Sequence, residues 1–378
     1  MNGSASMLGV LRTAFFVACS WTWCIGMFLP VLLIRDFGWW AWVAFAAPNV
    51  VGAMCVGLLL DPAKARRMLE EHRWVVGGFI AWTLAFHAYF LAYWLGQYAV
   101  ARGAAPFLWL IVIGLCIPMF RRRFSTVGGV AVAVWFVSMA IFWWLDRSGG
   151  GSAFAIPASR GDHAMIGMVG LVPVLMLGFL TCPFLDASLL RARAETPGTG
   201  GRLAFVLGFG VLFLILIGMT AMYAAMFESG GRMSHWIFAY FALQGWFTVS
   251  VLGREGRAMG FGRGGWVAAG VLVLLAGIAG MAVPQEGFEF GYELMLSAYA
   301  LVFPAYVWTV VLGWRCGRRE RVVGWLVTMV AASPFFVAGA LFERWLALPV
   351  GVAIVLLGPL VAMGLGRLGM GRKAASEG

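Results

Sequence analysis

The stretch Ser20-Trp21-Thr22-Trp23-Cys24-Ile25-Gly26-Met27-Phe28-Leu29-Pro30 decides how this chain is read. It carries no charge and lies inside an apolar run over 10–34. Such a run is long enough to cross a bilayer, which takes about 20 apolar residues. Yet it holds Gly26 and Pro30 one turn apart. Proline removes an amide donor and glycine loosens the turn. In hydrocarbon a weak point of that kind is tolerated only where protein or a water-filled cavity satisfies the freed backbone. The stretch therefore predicts a membrane helix broken at Gly26 and Pro30, lying inside a helical bundle.

The rest of the chain agrees with a membrane setting. Of its 378 residues, 62% are hydrophobic and 11% charged, and the mean hydropathy is +0.90. A soluble domain is about 45–50% apolar and about 25% charged. A soluble enzyme, a disordered chain and a disulfide scaffold are excluded. The apolar runs are continuous rather than alternating, which also excludes an outer-membrane barrel. The expected class is an all-α integral membrane protein, a single polytopic domain over 1–378. Twelve spans are predicted, at 10–34, 39–60, 75–97, 105–120, 127–145, 164–186, 203–227, 236–253, 266–283, 292–314, 321–343 and 346–366. The segment Pro62–Trp74 reads as a short surface helix, and the last few residues as a disordered tail.

The loops test the span count independently. Arg12, Lys64, Arg66, Arg67, Arg73, Arg121, Arg122 and Arg123 fall on one side, as do the basic residues near 191–202, 254–263, 315–321 and 367–373. Only Arg35, Arg102, Arg147, Arg160, Arg232 and Arg344 fall on the other. Basic residues collect in cytoplasmic loops. Both termini are thus expected in the cytoplasm, in a multi-pass protein of the inner (plasma) membrane. The same loops account for the net charge of +11. Membrane lipid is the expected surrounding partner and nucleic acid is not. No signal peptide is read, because the run around Cys19 continues for a full span.

A second interrupted helix is predicted around Gly178 and Pro183. The two breaks lie in spans one and six, which the charge pattern orients oppositely. Interrupted helices at corresponding positions of two inverted halves point to a transporter site. The sixteen carboxylates are read in loops or at span ends, which leaves His87 as the ionisable group near a span centre. Neutral polar groups are the other candidates. Ser20, Thr22, Asn49, Thr181, Gln244, Thr248 and Ser250 suit a neutral or zwitterionic solute. Trp21, Trp23 and Phe179 are expected as apolar walls. The six cysteines show no ligand spacing and read as small buried hydrophobes, so no transition-metal site and no cofactor are expected. Gly364 to Gly369 spells GxGxxG but closes a membrane span rather than opening a βαβ unit.

Twelve spans with the first and sixth interrupted resemble the LeuT-fold, or amino acid–polyamine–organocation, superfamily. Ser20–Pro30, the turn Phe37-Gly38-Trp39-Trp40-Ala41-Trp42 and Ala47-Pro48-Asn49-Val50-Val51-Gly52-Ala53 look like the start of a sodium:solute symporter. These motifs cover the first 60 residues and helix six, and the topology covers the chain. The resemblance implies a five-helix inverted repeat, with halves at 10–145 and 164–314 and extra helices at 321–366. It also implies Na⁺ held by backbone at Thr22, Trp23 and Gly26 and by hydroxyls at Thr248 and Ser250. The substrate-contacting set is then Trp21, Trp23, Gly26, Asn49, His87, Phe179, Thr181 and Gln244. The expected function is secondary active transport by alternating access, not enzymatic chemistry. The alternatives are a membrane enzyme acting on a lipid phosphate through Asp186, Arg191 and Arg193, with Asp162 and His163 as a second acid/base candidate, and a non-transporting subunit of the same fold.

Overall fold

A computed structural model describes residues 6–100, 124–147, 164–228, 234–312 and 317–376. Among the described residues every regular element is helical. They contain nine helices long and apolar enough to cross a membrane, or up to eleven if each of two bent pairs is one span. The protein is therefore an all-α, multi-pass membrane protein. The predicted span 105–120 lies outside the described residues, as do Asp162 and His163. Each of the other predicted spans falls on a helix or a bent pair.

The first predicted span is two helices, α1 (Met7–Trp21) and α2 (Cys24–Phe37), bent by 59°. Gly38, at φ +76°, turns the chain into α3 (Trp39–Leu59). The surface helix α4 (Pro62–Glu71) starts where the Asp61 carboxylate accepts from the Lys64 amide at 2.8 Å, with proline at its first position. Helices α5 (Arg73–Val100) and α6 (Phe124–Arg147) follow. Next comes α7 (Ala164–Thr181), then a 3₁₀ turn at Cys182–Leu185 and a short α8 (Ala187–Glu195).

The next span runs through α9 (Gly198–Leu207), a π-helical segment at Gly208–Phe213, α10 (Leu214–Gly218) and α11 (Thr220–Glu228). Helices α12 (His235–Ala258), α13 (Arg263–Ala282), α14 (Gln285–Tyr306) and α15 (Arg318–Leu341) follow. The chain closes with the bent pair α16 (Ala347–Leu356) and α17 (Gly358–Ser376).

Burial tells which helices are central. Almost every residue of α2 from Cys24 to Ile34 is buried. By contrast α13 keeps Leu274, Leu275, Ile278 and Met281 on the outside. Large apolar side chains on that face need lipid around them. Helix α1 packs on α6 and α9, α2 on α11, α3 on α7, and α5 on α12 and α13. The α3–α7 contact is backbone-close at Gly52. A Cβ there would sit 2.0 Å from the Phe179 carbonyl oxygen and 2.8 Å from the Leu180 Cα.

The breaks do not fall where glycine and proline predict. Gly26 and Pro30 lie within α2, and Gly178 lies within α7. The first break is at Thr22 and Trp23, whose amides turn back onto the Cys19 and Trp21 carbonyls. Pro183 does lie in the second break.

Candidate functional site

The first bend leaves backbone groups without helical partners, and distant side chains take them up. The Cys24 amide donates to His87 Nε2 at 3.3 Å. His87 Nδ1 lies 2.8 Å from the Thr83 carbonyl oxygen, so the ring is neutral with its proton on Nδ1. Tyr292 of α14 donates to the Cys24 carbonyl at 3.3 Å, and Tyr223 of α11 donates to that of Met27. Thr248 of α12 reaches the Thr22 carbonyl at 3.5 Å. Trp21 Nε1 donates to Asn49 Oδ1 at 2.6 Å, and Trp23 Nε1 to the Ser20 carbonyl at 2.7 Å. Five helices thus hold the bend, which meets the requirement that irregular backbone at membrane depth be satisfied by protein.

The 3₁₀ turn between α7 and α8, the second bend of this site, lies against the first. After the 3₁₀ turn, Asp186 caps α8. Its Oδ1 accepts from the Leu189 amide at 2.8 Å and from the Ser188 hydroxyl at 2.5 Å. Ser188 Oγ is 3.3 Å from Ser20 Oγ on α1. Asp186 is fully buried, and its Oδ2 has no hydrogen-bond partner among the described residues.

One end of the bundle holds a narrow cavity of about 100 Å³ between α2, α7, α14, α15 and α16. Its walls are apolar, with Leu29, Leu33, Leu175 and Phe336 among them. Its charged lining residues are Asp36 and Glu293. Asp36 pairs with Arg35, which also forks onto Glu289 at 2.7 and 2.9 Å. The cavity also touches Phe179 and Tyr299. Phe179 stands on the backbone that Gly52 approaches, and the Tyr299 ring is 6.0 Å from Trp23 and faces the Cys182 thiol. The cavity thus reaches both bends.

Around α8 the helices are stitched together beside an open pocket lined by Arg66, Leu69, Arg191, Ala194, Glu195 and Pro197. Arg191 of α8 pairs with the fully buried Glu255 of α12, which also accepts from Arg254 at 2.5 Å. Arg193 donates to the Leu60 and Thr196 carbonyls at 2.7 and 2.8 Å. Thr13 of α1 meets Thr196 at 3.3 Å, and Arg66 of α4 donates to the Ala194 carbonyl at 3.0 Å.

The predicted site residues divide accordingly. Trp21, Thr22, Trp23, Asn49, His87 and Thr248 gather at the first bend. Phe179 lines the cavity, as does Gly178, where an added Cβ would meet nothing within 4 Å. Gln244 instead donates to Ser138 of α6 at 2.9 Å, and Thr181 bonds back to the Leu177 carbonyl. Ser250 bonds back to the Trp246 carbonyl at 2.7 Å. Two residues on from Thr248 it lies about 200° around the helix, so both cannot face α1.

Asp186 and Glu255 do stand at span ends, but both are fully buried rather than interfacial. Helix α12 runs on to Ala258, past the predicted end of its span, and α8 is buried against neighbouring helices. An aspartate at a helix N-cap just after proline was the signal available for the first. Cys19, Cys24 and Cys182 are buried, as expected of small hydrophobes. A scan against protein-family models finds no match for the chain, and a comparison with curated proteins finds none either.

Proposed function

We propose that the protein is a secondary active transporter that moves a small solute across the inner (plasma) membrane by alternating access about its two broken helices. In this reading the chain has twelve spans with both termini in the cytoplasm and the five-helix inverted repeat of the LeuT fold. The cavity faces outward and the stitched end around α8 is the closed cytoplasmic gate. The observation that carries the reading is the joint placement of the breaks and the cavity. An apolar cavity ends on Phe179 and Tyr299, which pack at the two bends, while the far side of the bends is crossed by ion pairs to the buried Glu255.

The lining defines the solute class. An apolar body suits the leucine and phenylalanine walls, and an ammonium group suits Glu293, since Asp36 is already held by Arg35. A zwitterion or an amine fits, and a free anion does not. The lipid-phosphate enzyme has less support, because Arg191 and Arg193 are already bound to Glu255 and to backbone carbonyls. Sodium held between Thr22 and Thr248 is supported by their 3.5 Å approach, but Ser250 offers it no oxygen.

Cysteine labelling tests alternation without knowledge of the solute. In a chain whose six cysteines are replaced by alanine, Ala300→Cys in the cavity and Ala192→Cys on α8 are labelled with a membrane-impermeant thiol reagent. Ala300→Cys is expected to react from outside and Ala192→Cys to be protected. Adding Glu255→Gln should reverse the pattern, with Ala192→Cys exposed from the cytoplasm and Ala300→Cys slowed at least several-fold. Exposure of both at once would indicate a channel, and an unchanged pattern a static scaffold; either overturns the proposal. Gly178→Leu should fill the cavity, keep the folded yield and abolish labelling of Ala300→Cys, since open space receives the side chain.

A further inference from the structure

We infer that Asp186, with the Ser20 and Ser188 hydroxyls, forms a site for a small monovalent cation, H⁺ or Na⁺, that ties broken helix one to broken helix six. The carboxylate is half satisfied. Two donors and the N-terminus of α8 stabilise one oxygen, so the anion can exist there. The other oxygen is buried and has no hydrogen-bond donor among the described residues. An anion in that position needs a positive charge beside it.

Among the described residues, no side-chain cation supplies one. Arg191 and Arg254 are held by Glu255, and Arg193 by the Leu60 and Thr196 carbonyls. From α12 the charge that acts on Asp186 is Glu255, and it repels. From α14 the facing group is Tyr299, and within the turn itself it is Cys182. Helix α1 presents Ser20, and its neighbour α3 carries only the neutral Asn49 near the bends. A bound proton or sodium ion supplies the missing charge, and the two hydroxyls provide further oxygen donors for sodium.

The position gives the site a consequence. Ser20 lies on α1 just before the first bend, and Asp186 and Ser188 lie on α8 just after the second. A cation there clamps α1 to α8 and favours the closed state of that end. Separating the two helices admits water to Asp186 and releases the cation. A ligand that binds one state better shifts the population toward it. Use of the site in a transport cycle rests on the transporter reading, whereas cation binding itself does not.

Melting temperature of the purified full chain in detergent tests the site. One arm compares NaCl with choline chloride at equal ionic strength and alkaline pH. The other lowers pH in choline chloride alone. The wild type is expected to melt higher in at least one arm, because a cation that binds only the folded state raises its stability. Asp186→Asn, which keeps the shape and removes the charge, is expected to lose that rise. Exposed carboxylates such as Asp61 titrate alike in both chains, so the difference between them reports Asp186.

If Asp186→Asn fails to fold, Ser20→Ala and Ser188→Ala serve instead. Each should raise the half-saturating cation concentration at least threefold in the sodium arm or shift the pH midpoint in the proton arm. A wild type insensitive to both cations, an unchanged response in Asp186→Asn, or unchanged midpoints in both serine variants would overturn the site. Cation binding without alternating labelling would overturn the transporter reading and leave the site standing. Alternation without cation binding would do the reverse.

Discussion

Gly52→Ala is expected to unseat α3 from α7 and to lower stability by about 1–3 kcal/mol or more, the range for overpacking a close contact. The cause is local and stiff. The new methyl would lie 2.0 Å from the Phe179 carbonyl oxygen and 2.8 Å from the Leu180 Cα. Both are backbone atoms, so no rotamer change relieves the clash. Either α3 withdraws or the end of α7 moves, and the end of α7 carries Phe179 and leads directly into the second bend. The expected result is a lower melting temperature together with weaker outside labelling at Ala300→Cys. Gly178→Ala is the control. It adds the same methyl to the facing helix α7 where nothing lies within 4 Å, and should change stability by no more than about 0.5 kcal/mol. Equal effects from the two substitutions would mean that the close approach at Gly52 does not hold the site together.

This contrast also marks where sequence reasoning reached and where it stopped. Membrane class and the placement of spans follow from composition and apolar run length, both local properties. That helix one is interrupted was also legible, whereas the sixth span runs unbroken past Gly178 and turns only at its end, from Cys182. The position of the first interruption was not. Trp21-Thr22-Trp23 contains no helix breaker, and Gly26 and Pro30 are accommodated in α2. What fixes the bend is a set of side chains far away in sequence. His87 takes the Cys24 amide, Tyr292 the Cys24 carbonyl, and Thr248 approaches the Thr22 carbonyl. A bend whose freed groups are satisfied from α5, α12 and α14 leaves no mark on its own residues.

The polar site shows the same division. Thr22, Asn49, His87 and Thr248 were legible because polar groups in apolar runs are few. Ser250 was misassigned because composition ignores helical phase: its hydroxyl returns to its own helix. Asp186 was read as interfacial because it follows the last apolar residue of α7. Its depth is set by α8, whose Ala187, Leu189, Leu190 and Ala192 are all buried against neighbouring helices.

Glu255→Gln is the substitution with the largest expected effect at the stitched end. Glu255 is fully buried and receives both Arg191 and Arg254, whose side chains are 22% and 10% exposed. Removing one member of a buried charged group typically costs about 3–5 kcal/mol, because the remaining charges stay buried without compensation. The loss should persist in high salt, since screening acts weakly on buried pairs. Arg191→Met should cost less, because Arg254 remains to pair with Glu255. The double variant Arg191→Met with Glu255→Gln should cost less than the two single losses together, because Arg191 is then no longer stranded beside a neutral partner and Arg254 lies over the Phe124 ring at 5.6 Å. A cycle of unfolding measurements in detergent reads the coupling, expected at about 0.5–3 kcal/mol for residues in contact. If the two single losses simply add, Arg191 and Glu255 act independently and the pair is not the latch. If they are coupled, the ion pair is the latch between α8 and α12. The exposure of Ala192→Cys in Glu255→Gln is then the opening of that latch, with Asp186 the first buried charge that water would reach.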